Sequence, residues 1–222
     1  MTKLGRQIGI GPTDNTSDQR TPRQRLRLIP ERVRDSFVPV VPARAVTRQH
    51  EWDMTRIAPD MPRADGEAIE VTGTLRTESG RPLRGALLEI WNANHYGRYR
   101  HIEDHSGLKL DDNFFGMGRV LTDDEGRYRF WTISPGAYLA RPDIGRWRPK
   151  HIHLSISGGS SRLITQMYFP DEPNNATDPM AVLMGDGFER NIGKSYTTPE
   201  TDVAQGFQFD IVVGGRNATY FE

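Results

Sequence analysis

The feature that most constrains this chain is a change of period at residue 67. From there to the C-terminus, short apolar runs alternate with polar residues and are cut by Gly, Pro and Asp turns. In "AIEVTGTLRTESGRPLRGALLEIWNAN" the apolar Ile69, Val71 and Leu75 alternate with polar neighbours, and Leu87, Leu88, Ile90 and Trp91 resume after a turn at Gly80. Alternation of this kind places side chains on two opposite faces and reads as half-buried strands. "GRVLTDDEGRYRFWTI" repeats the scheme around a turn at Asp123 to Gly126, and "HIHLSIS", "RLITQMYF" and "FQFDIVVGG" supply three more short strands. Helical periodicity is scarce, with one brief helix expected near "DPMAVLMGD". The fold class expected is therefore all-β, an antiparallel sandwich core of residues 61–222 with long loops.

Residues 1–60 follow neither period. They hold several prolines and 11 Lys/Arg against 7 Asp/Glu. An extended, mostly irregular N-terminal arm is expected, and Leu26, Leu28, Ile29, Val38, Val40 and Val41 give it an apolar side to lay on its own core or on another subunit. The formal net charge is zero, which gives no global pull toward nucleic acid or anionic lipid. No run approaches the roughly 18 apolar residues of a membrane span, and the start lacks a secretory signal, so a cytoplasmic protein is expected.

The chain has no cysteine, so a metal site must use nitrogen and oxygen donors. His151 and His153, at i and i+2 in "WRPKHIHLSIS", project from one face of a strand and can grip one ion together. Pro149 biases Arg148 toward an extended conformation where that strand starts. A lone His-x-His pair is equally explained as two solvated histidines, and no histidine follows His153 to complete a cupin-like set. His101 and His105 lie in "HIEDHSG", which reads as a surface loop. Tyr99, in "NHYGRYRH", and Tyr138, in "SPGAYLARP", stand near strand ends, where irregular backbone can turn a side chain into a cleft. Phenolate oxygen is a hard donor that suits a trivalent cation, whereas each tyrosine by itself is also explained as a packed aromatic.

Taken together, "LLEIWNANHYGRYRH", "DDNFFGMGRVLTDDEGRYRFWTISPGAY", "WRPKHIHLSISG" and "LITQMYF" resemble the intradiol ring-cleaving dioxygenases, on the protocatechuate branch of that family. Similarity runs from residue 20 to the C-terminus, through "TPRQRLRLIP" and "FDIVVGGRNATYFE". The resemblance implies a non-haem iron(III) held by two tyrosinates and two histidines, which fall on Tyr99, Tyr138, His151 and His153. It also implies that Tyr138 leaves the metal and takes up a substrate proton, that Arg148 stabilises negative charge on the substrate ring, and that Gln166 hydrogen-bonds near the iron and its oxygen ligands. Trp91 matches an aromatic beside the site.

The implied reaction cleaves a substituted catechol with O2 between its two hydroxyls, giving a cis,cis-muconate in aromatic catabolism. Three departures bear on the substrate. "PDEPNNATDPM" follows "QMYF" in place of an apolar segment, Ala140 stands at a tryptophan position, and Asp14 stands where the arm would offer a tyrosine. Both Ala140 and Asp14 are thereby expected to line the pocket. Protocatechuate, hydroxyquinol and bulkier catechols all remain open as substrates. The implied partner is an α subunit homologue or further copies of the chain. Two other readings stand beside this one: a catalytically silent prealbumin-like binding sandwich, and a zinc or manganese site on the same histidines.

Overall fold

A computed structural model describes residues 50–102, 104–158, 161–215 and 217–219. The expected arm up to residue 49, with Asp14, lies outside the described residues. Two sheets carry the core. In one, β1 (Ala68–Thr77) is central; in the other, β2 (Leu87–Trp91) and β3 (Met117–Leu121) sit beside β7 (His151–Gly158) and β8 (Ser161–Tyr168) in the order β3-β2-β7-β8. β4 (Arg127–Ile133) pairs antiparallel with β1, and β9 (Lys194–Tyr196) pairs antiparallel with β10 (Gln205–Gln208). A small ribbon of β5 (Tyr138–Arg141) and β6 (Arg146–Arg148) stands apart from both sheets.

The expectation of a wholly antiparallel sandwich needs one correction. β10 and then β11 (Ile211–Val213) run parallel to β1, along the edge opposite β4. The alternation that marks a half-buried strand is the same in either direction, so the pattern could not show it.

The inward faces meet in one core. Val71, Leu75 and Phe130 from the first sheet pack with Leu88, Ile90, Ile152 and Leu154 from the second, all buried from solvent. Burying each such side chain contributes about 1.5–3 kcal/mol. Gly73 interrupts the inward row of β1 because the Tyr128 hydroxyl crosses it to donate to the Phe209 carbonyl, at the break between β10 and β11. A Cβ on Gly73 would lie 2.0 Å from that carbonyl oxygen.

Residues 50–55 close an edge. Met54 N donates to Trp131 O and Trp131 N to Trp52 O, each at 2.8 Å, while Glu51 holds Arg119 on β3 through two contacts of 2.8 and 2.9 Å. The segment thus covers the outer edge of β4 and reaches the other sheet, satisfying backbone groups that an open edge would expose.

The brief helix expected near "DPMAVLMGD" is present as α1 (Pro179–Met184), between short 3-10 turns at Pro173–Thr177 and Gly185–Asn191. Among the described residues no helix is long and apolar enough to cross a membrane.

Candidate metal centre on the outer face of a sheet

Strand alternation sorts β7 into two functions. Ile152 and Leu154 point into the core, so His151 and His153 must point outward. Cross-strand register then assembles a row: Trp91 on β2 and Gln166 on β8 flank His153, and Tyr168 lies opposite His151. Trp91 stacks flat on the His153 ring, with centroids 4.9 Å apart and planes 2° from parallel.

The two tyrosines arrive from loops. Tyr99 lies in the connection from β2 to β3, which Asn94 organises: its Oδ1 accepts from Tyr96 N and Arg98 N, and its Nδ2 donates to Lys109 O. Asp104 receives Tyr99 N at 2.8 Å. Tyr138 opens β5, directly across from Arg148 on β6. The two loops touch at glycines. A Cβ on Gly97 would come 2.5 Å from Ala137 O, one on Gly136 would come 2.5 Å from Gly97 N, and Gly97 itself has φ +83°. Only residues without a Cβ allow this approach, and it brings the two phenol rings edge to face at 5.4 Å.

Three donor atoms converge tightly. His151 Nε2 lies 3.1 Å from His153 Nε2 and 3.3 Å from Tyr99 Oη. Tyr138 packs against both Tyr99 and His151, with ring centroids 5.4 and 5.7 Å away, and its hydroxyl contacts Tyr99 and Arg148. Separations of 3.1 and 3.3 Å are those between neighbouring donors around an ion with bonds of about 2.1 Å. Among the described residues no group of three or more His, Asp or Glu is placed to hold a metal, and the oxygen donors beside the two imidazoles are the phenols of Tyr99 and Tyr138.

Protonation follows from burial. His151 Nδ1 sits 2.7 Å from Pro149 O, and because a carbonyl only accepts, Nδ1 carries the proton and Nε2 presents its lone pair. Burial and the nearby Arg148 charge hold His151 well below the usual imidazole value, and the same two causes take His153 down to about 3. Both rings are therefore neutral at physiological pH, the form that binds metal. Burial pushes the Tyr138 phenol above its ordinary value, against the Arg148 charge and a hydrogen bond from Tyr99.

Arg148 is clamped from two sides. Nε donates to Asp178 Oδ2 at 2.7 Å, and Nη2 donates to Gln166 Oε1 at 2.6 Å and to Tyr168 Oη at 3.0 Å. Burial works against its charge, but the facing Tyr138 and Tyr168 hydroxyls and the Asp178 carboxylate more than offset this, and the guanidinium stays cationic. A guanidinium cannot accept, so it fixes Gln166 Oε1 toward itself and turns Nε2 away. That Nε2 is buried with no hydrogen-bond partner among the described residues.

Six of the residues singled out in sequence, Trp91, Tyr99, Tyr138, His151, His153 and Gln166, thus gather around one point, with Arg148 beside them. Ala140 is half-buried at the register irregularity of β5, between Leu139 and Arg141. His101 and His105 are exposed, as a surface loop requires. Sequence reasoning missed Tyr168 and Asp178. Tyr168 was within reach, being i+2 from Gln166 on the same strand face; Asp178 carries no such signal because it arrives from a separate loop.

A family model described as "Dioxygenase" matches residues 42–215. The protocatechuate 3,4-dioxygenase beta chain of Burkholderia cepacia is 42% identical over 217 residues, which is 96% of this chain and 92% of that one. Chlorocatechol 1,2-dioxygenase of Rhodococcus opacus is 32% identical over 136 residues, 54% of this chain and only 51% of its own. Among solved structures, catechol 1,2-dioxygenase from Acinetobacter sp. ADP1 aligns with a TM-score of 0.55 at 28% identity, over 72% of this chain and 55% of that one. With the family model covering most of its length, and the relative from Burkholderia matched nearly end to end, this chain belongs to the intradiol ring-cleaving dioxygenase family.

Proposed function

We propose that the protein is a non-haem iron(III) enzyme that opens a substituted catechol of the protocatechuate type between its hydroxyls with O2, yielding a cis,cis-muconate in cytoplasmic aromatic catabolism. The observation that carries this reading is the convergence of Tyr99, Tyr138, His151 and His153 from three separate segments onto one point. Two neutral imidazoles and two phenols form a hard, oxygen-rich donor set that matches a trivalent ion better than zinc, which would leave the phenols without a role. When bound, trivalent iron supplies Lewis acidity toward hard oxygen donors and strips the proton from a phenol that reaches it.

The chain's own residues then divide the remaining work. Tyr138, as phenolate, accepts at Oη one of the two protons a catechol gives up on binding. The hydrogen bond to Pro149 O keeps His151 Nε2 directed at the ion, and the Trp91 ring covers one face of His153 and shields it from water. Arg148 faces the Tyr138 hydroxyl and stabilises negative charge developing on the substrate ring. Gln166 Nε2 donates to an oxygen ligand, which accounts for a buried donor that lacks a protein partner.

The partner expected is an α subunit homologue, with further copies of this chain as the alternative. Purified, iron-loaded protein is expected to be red-brown from phenolate-to-iron charge transfer, and to take up oxygen with at least one member of a panel of protocatechuate, catechol, chlorocatechol and hydroxyquinol, with or without an added α subunit. A colourless iron-replete sample would remove the phenolate ligands, and a coloured protein inert to the whole panel would remove the reaction.

A further inference from the structure

We infer that Asp178 is a positioning residue for Arg148, set by the helix that it caps, an inference that rests on the functional reading above. Asp178 is wholly buried. Its Oδ1 accepts from Met180 N at 2.7 Å and Ala181 N at 3.4 Å, which closes the first turn of α1. Its backbone N donates to Asn174 O and Asn175 O, so the residue is locked at the joint between the Pro173–Thr177 turn and the helix. Helix caps ordinarily leave the second carboxylate oxygen in water. Here Oδ2 is instead 2.7 Å from Arg148 Nε, across 30 residues of sequence.

The consequence for the guanidinium is geometric. A planar fork with Nε held by Asp178, and Nη2 held by Gln166 Oε1 and Tyr168 Oη, has contacts on two of its edges and cannot swing about its own stem. Gln166 and Tyr168 share the strand face that carries the two histidines, whereas Asp178 comes from the 173–191 segment. Asp178 therefore decides how far Arg148 leans toward Tyr138, and it does so without touching the reacting atoms. Among the described residues it also supplies the single carboxylate in direct contact with that buried cation, so the arginine need not draw its counter-charge from the substrate side.

The test uses full-length, iron-loaded protein and the substitutions Asp178→Asn and Arg148→Lys, singly and together. Asparagine is an equally good helix cap, so α1 is kept while the acceptor for Arg148 Nε is replaced by a donor. The expected result for Asp178→Asn is a fall in kcat of about 100-fold, the size associated with a misplacement of about 1 Å, with KM for the turned-over catechol within about threefold. The visible band of the iron form and its shift on anaerobic addition of catechol should be kept. In the Arg148→Lys background the same substitution should cost less than about threefold, because its target is gone.

A purely structural role predicts otherwise: iron content, band intensity and kcat falling together, with losses that multiply in the double variant, and that pattern overturns the inference. So does an Asp178→Asn kcat within about threefold of wild type. Should Asp178→Asn fail to melt cooperatively, Asp178→Ser, which also keeps a capping oxygen, replaces it with the same expectations; failure of both to fold assigns Asp178 to folding and also overturns the inference. A wild type without turnover on any catechol defeats the functional reading, which is a different outcome from a working wild type with an unaffected Asp178→Asn.

Discussion

Removing the metal should leave a protein that loses stability on mild acidification, and the amount follows from two rings. His151 is buried and held well below the usual imidazole value, and His153 is taken down to about 3. In the unfolded chain both titrate near pH 6.5. Below that value the unfolded state binds protons that the folded state refuses, so stability rises with pH; the contribution is fully present above pH 6.5 and is lost as pH falls toward 3. A ring that stays neutral in the fold accounts for RT ln(1 + 10^(6.5 − pH)), about 2 kcal/mol by pH 5. His151 should supply that amount, and His153, which keeps some exposure, about 1–2 kcal/mol more. The assay is urea denaturation of metal-free protein from pH 8 to pH 5, comparing wild type with a His151→Gln, His153→Gln double variant. Wild type should lose about 3–4 kcal/mol more than the variant over that window. Parallel profiles would mean that the imidazoles accept protons in the folded state, and the argument that they are preset as neutral ligands would fail.

Three other perturbations separate chemistry from scaffold. Tyr138→Phe should keep iron, with an altered visible band, but lose kcat by about 100-fold or more because the proton acceptor is gone; wild-type turnover would refute that role. Gly97→Ala would set a Cβ 2.5 Å from Ala137 O at a φ of +83°, so iron affinity should fall at least about tenfold while thermal unfolding changes by about 1–3 kcal/mol. An iron titration indistinguishable from wild type would show that the loop contact does not set the tyrosines. Gly73→Ala, with its Cβ 2.0 Å from Phe209 O, should destabilise by about 3 kcal/mol in denaturant, and a loss below about 1 kcal/mol would contradict the crossing of Tyr128 over β1.

How much of this was legible beforehand depends on whether the information is local. Ile69, Val71 and Leu75 announced β1 and its buried face, Asp123 to Gly126 announced the turn before β4, and the i, i+2 spacing of His151 and His153 put both on one side of β7. Each is a statement about which side of the backbone a residue occupies, and a period of two encodes that directly. The gathering of the tyrosines with the histidines came from family resemblance, not from spacing. The β5 to β6 ribbon that carries Tyr138 and Arg148 was invisible, because four irregular residues around Gly145 hold no sustained pattern.

By itself, then, the sequence determined the main core strands, their inward faces, the histidine pair and the absence of thiolate ligands. Only the tertiary structure decided that β10 and β11 run parallel to β1, that Gly97 and Gly136 let two loops touch so that their phenols meet, and that an aspartate 30 residues away holds Arg148. The physical reason is the same in all three cases. Hydrophobic patterning specifies the side of a strand that leaves water, but the direction of its neighbour and the partner of a polar group are settled by hydrogen bonds between segments that meet only once the core has formed.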